Sequence, residues 1–211
     1  MKKIKLFAVS IVLALLSTNA FAQAFEEGTK VGAIGIGWPN IGKLLYAADF
    51  AGSGTDYKAT GIGPLHGRFE FGLTDRFGVG VSINYASYGA KWTEETSIYN
   101  PVTGQYTTGI YSYEIKTSAF ALLIRGNRHW DVNDKVDIFS GFGIGYGGRN
   151  TKLTSTDPTW VEDNTNAYEN LIPIAFEWTL GMRYYFNDNI GFYIEGGYAK
   201  SILQGGIVAK F

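Results

Sequence analysis

Six charged residues of this chain stand where an alternating strand would turn them away from its apolar neighbours: Arg68, Glu70, Arg125, Glu177, Arg183 and Glu195. Each has at least one large apolar residue beside it, as in Phe69-Glu70-Phe71 and Phe176-Glu177-Trp178. Successive side chains of a strand point to opposite faces, so such a charge meets one solvent while its neighbours meet another. The chemistry open to three guanidiniums and three carboxylates in one interior is ion pairing. Counted from the nearest turns, five fall at similar heights and Glu177 a little higher, so we expect a salt-bridged plug at one level. Removing one partner from such a plug should cost more than the pair contributes, because the other charge stays buried. A gated ion path is the functional alternative.

Two histidines are the other candidates for chemistry. His66 shares its face with Pro64 and Arg68, and a Ser and a carboxylate near it would make an acyl-hydrolysing or acyl-transferring triad. No Ser-containing motif accompanies it, and we assign no catalytic residue. His129 stands beside Trp130 close to a turn, and we read it as a membrane-edge residue. Asp157, Glu162, Asp163 and Glu169, set against Arg149 and Lys152, lack the fixed ligand spacing of a calcium loop. They read as a solvated loop, and no metal or cofactor is expected.

The elements that must position these residues are strands. From Ile172 to Phe186 the even positions, Ile172, Ile174, Phe176, Trp178, Leu180, Met182, Tyr184 and Phe186, are all large and apolar or aromatic. The odd positions are small, polar or charged, which is a period of two and not of 3.6. Seven further stretches are expected as strands, near 30–38, 62–73, 78–88, 111–128, 136–146, 190–199 and 203–211; the facing of the first is ambiguous. Tight turns are expected at Thr74-Asp75-Arg76-Phe77, at 131–135 and at Asn187-Asp188-Asn189. Long connections at 39–60, 91–109 and 149–170 alternate with them. Trp130, Tyr184, Phe186 and Phe211 would form one aromatic band, and Trp38, Tyr88, Trp92, Tyr111 and Tyr146 the other.

Composition agrees with strands rather than helices in a membrane. There are 28 Gly and 16% aromatics, while mean hydropathy is −0.03, as expected when half of each strand faces a polar interior. No Cys is present, which removes disulfides and thiolate metal sites. Lys2, Lys3 and Lys5, the apolar run from Leu6 to Leu16 and Ala20-Phe21-Ala22 read as a cleaved signal peptide over 1–22. The apolar run is shorter than the ~20 residues a spanning helix needs. Losing three lysines and no acid takes the formal charge from −1 to −4, which disfavours a nucleic-acid surface. Residues 23–211 are one domain by length.

With the signal peptide, the alternation of short turns and long connections, the Leu73 to Phe77 turn and the terminal Phe211, the chain resembles the small bacterial outer-membrane barrels of the OmpA transmembrane domain and OmpX kind. The resemblance implies an all-β, eight-stranded antiparallel transmembrane barrel, an up-and-down meander with short periplasmic turns and long extracellular loops. It implies outer-membrane lipid and lipopolysaccharide as surroundings, and a monomer with no catalytic role. Phe211, after Ile207 and Ala209, implies a signal for the barrel-assembly machinery, with Gly205 departing from the pattern. The expected role is envelope integrity and adhesion-type surface contact through the loops, where Tyr57, Tyr99, Tyr106 and Trp160 offer aromatic surface for a ligand. A narrow channel for small or hydrophobic solutes is the first alternative and a lipid-modifying enzyme the second.

Overall fold

A computed structural model of the chain describes residues 24–50, 52, 54–159 and 173–211. The signal-peptide reading, Ile172, and the loop residues Trp160, Glu162, Asp163 and Glu169 lie outside these. The strands are β1 Lys30–Trp38, β2 Thr55–Thr74, β3 Phe77–Asn100, β4 Gln105–Asn133, β5 Val136–Ser155, β6 Ile174–Tyr185, β7 Ile190–Tyr198 and β8 Leu203–Lys210. Each pairs antiparallel with the next, and β8 pairs with β1 to close an eight-stranded barrel. The closing register runs from Val31 opposite Lys210 to Trp38 opposite Leu203. In hydrocarbon this closure is required, since an open edge would leave backbone N–H and C=O groups without partners.

The expected tight turns are present, and each is held by one side chain. Thr74 Oγ1 accepts from Arg76 N and Phe77 N, Asn133 Oδ1 from Lys135 N and Val136 N, and Asn187 Oδ1 from Asn189 N and Ile190 N. Short polar side chains that bond the backbone two and three residues on are what make these sequences turn.

The exterior is an apolar belt. Ile34, Ile36, Phe69, Val81, Leu122, Ile124, Ile144, Trp178, Leu180, Phe192 and Ile207 are all exposed. The inward positions alternate with them, so the fold presents its oil outside and its charges inside, the arrangement of a barrel that spans a bilayer. The facing of β1, ambiguous in the sequence, is settled here. Ile34, Ile36 and Trp38 point out, whereas Val31 is buried. At Gly35 a β-carbon would run into the Tyr193 hydroxyl and the Gly205 carbonyl, so only glycine lets these strands approach.

The expected long connection at 91–109 is largely strand, and strand also takes in 55–60 and 149–155, which corrects the sequence reading. β2, β3, β4 and β5 have 20, 24, 29 and 20 residues, against 9, 12, 9 and 8 for β1, β6, β7 and β8. Four long strands therefore rise past the belt as a curved sheet. Above the belt the alternation inverts. Trp92, Tyr113 and Ile115 are buried on the inner face, while Lys91, Lys116 and Thr154 are exposed on the outer one. A strand followed by its apolar-out pattern is lost at the level where water replaces lipid, although the backbone continues. The turn signals survive only at the tip, where Gly104 takes φ +66 between β3 and β4.

The connection after β1 holds one helix, α1, Ile41–Asp49. Asn40 caps it, its Oδ1 accepting from Lys43 N at 3.0 Å. Tyr46 and the following Phe50 pack on the inner cluster of Ala90, Trp92, Tyr113 and Ile115. Tyr46 Oη lies 2.8 Å from Thr117 Oγ1, and the Phe50 and Trp92 rings stack at 5.2 Å. The outer aromatic band is therefore smaller than expected. Trp38 and Tyr146 face out, but Trp92, Tyr88 and Tyr111 belong to the inner face against α1.

The belt has a quantitative consequence. Ile124→Arg, at an exposed mid-belt position, is expected to destabilise the barrel by about 2–4 kcal/mol in equilibrium unfolding from lipid vesicles. Thr154→Arg, on the same outer face above the belt, should change it by less than ~1 kcal/mol.

Candidate functional site

The interior charges form two tiers stacked along the barrel, not one level. In the upper tier the Arg125 guanidinium from β4 is the hub. Its Nη1 donates to Glu177 Oε1 at 2.6 Å, its Nη2 to Thr179 Oγ1 at 2.6 Å and Glu195 Oε2 at 3.3 Å, and its Nε to Asn127 Oδ1 at 2.7 Å. Arg68 from β2 pairs with Glu195 Oε1 across the lumen and lies 3.7 Å from Glu177 Oε1. Glu195 Oε2 also accepts from Thr179 Oγ1 at 2.7 Å and Gln204 Nε2 at 3.0 Å. Two arginines thus face two glutamates. Neutral donors share the carboxylate lone pairs, which helps a buried pair repay its desolvation, while Arg68 Nε and Nη2 are buried with no hydrogen-bond partner among the described residues.

The lower tier lies nearer the tight turns. Arg183 from β6 bonds Glu70 Oε2, and its Nη1 donates to Asp137 Oδ2 at 3.1 Å. His129 completes the square. Its Nε2 lies 2.7 Å from Glu70 Oε1 and its Nδ1 2.9 Å from Asp137 Oδ1. An ionised carboxylate only accepts, so with both acids ionised both ring nitrogens donate and the imidazole supplies the second positive charge. Arg183 also rests on the Phe139 ring, 4.3 Å from its centroid.

His129 is buried, and the expectation of a membrane-edge histidine is corrected: only its neighbour Trp130 faces outward. The signal was available in the parity. His129 has the same odd number as Arg125 and Asn127 on β4, and its turn-side neighbour Trp130 pairs outward with Ile138. Asp137 has the inward parity of Phe139 and Gly141 on β5, but its partners come from β4 and β6 at unrelated sequence distances, so nothing local joins it to the charge set.

Beneath the lower tier the chain closes the barrel with its own N-terminal segment. The Phe25 ring stacks on His129 at 3.5 Å with planes 6° apart, and Ala24 and Phe25 have no exposed surface. Phe25 clusters with Val31, Tyr185, Tyr193 and Val208. Gly28 N donates to Gly72 O at 2.9 Å and Gly72 N to Thr29 O at 2.8 Å, so the segment is stitched to β2. At the other end α1 and its aromatic cluster line the inner face of the long strands.

His66 lies inside as expected, above the upper tier. Its Nδ1 is 2.6 Å from Asn84 Oδ1, and its Nε2 is 3.5 Å from Ser201 Oγ in the bend between β7 and β8. The residue types are those of a Ser–His–Asn triad. Both Ser201 and His66 are buried, at 1% and 3% exposure, and neither lines the neighbouring groove of about 210 Å³, whose polar residues include Asn84, Glu177 and Lys200. The hydroxyl-to-imidazole separation exceeds the ~2.6–3.2 Å of a primed nucleophile.

Asp157, the loop acid within the described residues, accepts from Thr159 N at 2.8 Å, Thr159 Oγ1 at 2.7 Å and Tyr113 Oη at 3.2 Å. The bonds from Thr159 hold its carboxyl below the usual range. Its lone pairs staple the end of β5, and among the described residues no group of three or more metal-ligating side chains converges.

No protein-family model and no curated protein matches this sequence. Among solved structures the chain is similar to Ail, the attachment invasion locus protein of Yersinia pestis, in complex with the heparin analogue sucrose octasulfate (10% identity, 88% of this chain and 99% of that chain, TM-score 0.40). It is similar to the outer membrane protein OprG from Pseudomonas aeruginosa (12% identity, 90% and 99%, TM-score 0.39). It is also similar to the N-terminal β-barrel domain of OprF from the same organism (11% identity, 88% and 98%, TM-score 0.36). At these scores the fold assignment stands on the strand order and register of the chain itself.

Removing one carboxylate of the upper tier tests the coupling. Glu195→Ala leaves Arg68 and Arg125 short of a counter-charge and is expected to cost about 3–5 kcal/mol in vesicle-based unfolding. A loss under ~1 kcal/mol would mean that water reaches the tier.

Proposed function

We propose that this chain is a non-catalytic, closed barrel of the bacterial outer membrane, stabilising the envelope and presenting a stiff sheet for contact outside the cell. The observation that supports it best is the upper tier, where Arg68 and Arg125 reach across the lumen to Glu177 and Glu195 with those four side chains at 8% exposure or less. An eight-stranded barrel has an interior just wide enough for its side chains to fill. Here those side chains are tied to one another, and Phe25 seals the turn side.

Outer-membrane placement follows from the barrel class. Bacterial barrels of this kind carry an even number of strands, short turns toward the periplasm and longer segments toward the exterior. The tight turns of this chain would then be periplasmic and the rising sheet extracellular, with Phe211 delivered to the assembly machinery. Contact through the exterior is favoured by exposed Tyr99, Tyr106 and Val102 at the β3–β4 tip.

Single-channel recording of refolded residues 23–211 in planar bilayers tests the closed lumen. We expect silence from the wild type, and discrete openings would overturn the reading in favour of a channel. The triad-like set at Ser201 is tested separately: a serine-directed fluorophosphonate should leave the refolded protein unlabelled. Labelling that disappears in Ser201→Ala would establish a hydrolase.

A further inference from the structure

The outer face of the long strands carries four lysines in register just above the apolar belt. Lys58 stands opposite Lys91, and Lys116 opposite Lys152. Lys91 is opposite Glu114 and Lys116 opposite Gly89, which makes Lys91 and Lys116 diagonal neighbours. All four are exposed. Lys91 Nζ is bridged to Glu114 at 2.9 Å, while among the described residues neither Lys116 nor Lys152 has a carboxylate within ion-pair reach. Like charges directly opposite on adjacent strands destabilise a sheet. Their β-carbons are only about 4.5–5.5 Å apart, so two ammonium groups can close on a single anion.

Directly below this pair the wall is hollowed. A groove of about 390 Å³ is lined by Tyr85, Ser118, Phe120, Tyr146, Gly148 and Asn150. Ser118 is opposite Asn150 and Phe120 opposite Gly148, one and two steps below the Lys116–Lys152 pair. Arg149 also lines the groove, and from the belt outward the wall runs from its aromatic rings, through a hydroxyl and an amide, to the two lysines that stand above the groove. A two-residue step rises about 6.6 Å along a strand and about 5 Å along the normal at barrel tilt. The headgroup zone beyond the hydrocarbon is roughly 5–8 Å deep on each side. The lysine backbones stand two such steps, about 10 Å along the normal, above the Phe120 ring, so with the rings a few ångströms inside the hydrocarbon the ammonium groups lie at phosphate height.

We propose that this groove and the Lys116–Lys152 pair bind a phosphorylated lipid of the loop-side leaflet, with the acyl chain along Phe120 and Tyr146 and a phosphate clamped by the two lysines. Lys91 and Lys58 extend the positive field along the same rim. The site deepens the outer-membrane reading, in which the loop-side leaflet is the outer one. Its bilayer test does not depend on where the cell places the protein; fractionation of cells decides that question by itself.

The experiment uses refolded protein in zwitterionic vesicles doped with lipopolysaccharide, or with the same lipid stripped of its phosphates, and reads lipid retained after extraction into mild detergent. The wild type should retain the phosphorylated form, and Lys116→Gln/Lys152→Gln should retain about tenfold less, with Lys116→Arg/Lys152→Arg restoring it. Lys152→Glu keeps the proposal testable if charge loss merely perturbs folding. It creates an attractive pair with Lys116, so in vesicles without the phosphorylated lipid its unfolding midpoint should equal or exceed that of the wild type, while retention is lost. Equal retention by the wild type and the glutamine variant, or of the phosphorylated and stripped lipids, would overturn the proposal. Displacement of the lipid by an equimolar amount of inorganic pyrophosphate would overturn it too, assigning the lysines to a soluble anion.

Discussion

Everything in this molecule depends on the refusal of hydrocarbon to bond a peptide group. Each N–H and C=O inside the bilayer must find a partner within the protein, and a sheet can satisfy that only by meeting itself. The pairing of β1 with β8, from Val31–Lys210 to Trp38–Leu203, is where the constraint is met. Closure then sorts the side chains. One parity of every strand faces lipid and the other a shared interior too narrow for bulk water.

That interior is polar because it is where residues excluded from lipid can go, and it is ordered because unpaired charge there is expensive. The two tiers solve the same problem with different parts. The upper one uses two arginines and two glutamates with Thr179, Asn127 and Gln204 making further bonds to them. The lower one uses Arg183 and His129 against Glu70 and Asp137, capped by Phe25. Space for the guanidinium of Arg125 is made by Gly141, where any β-carbon would collide with it. The charges therefore join seven strands, β2 and β4 to β7 directly, β3 through Asn84 and β8 through Gln204, which makes the cylinder rigid against ovalisation as well as filled.

Beyond the membrane the same strands obey a different solvent. Four of them continue as a sheet whose inner face is aromatic and whose outer face is polar, with α1 packed on the aromatic side. The switch of sign between belt and sheet places a lysine row, a pair of short polar residues and a ring of aromatics in sequence down one wall. Their order matches the order of groups in a phospholipid. The part beyond the belt is consequently a continuation of the barrel wall rather than a set of loose connections.

The strand class, the eight-strand count, the parity of the six charges and the three tight turns were legible in the sequence, because the two-residue period and the Thr-Asp and Asn-Asp turn residues act locally. The same local pattern failed at 91–109 and 149–155, where the strand persists but its apolar side changes over, and at Trp92 and Tyr88, which the aromatic-band expectation placed on the wrong face. Which charges meet was not legible. Glu70 joins Arg183 across 113 residues of chain and Arg68 joins Glu195 across 127, and these meetings are set by barrel closure and strand stagger. His129 shows the limit most plainly. Its parity was readable, but its place between Glu70 and Asp137 under Phe25 exists only once β2, β4, β5 and the N-terminal segment converge, since the energy of a buried ion depends on every neighbour that replaces its water.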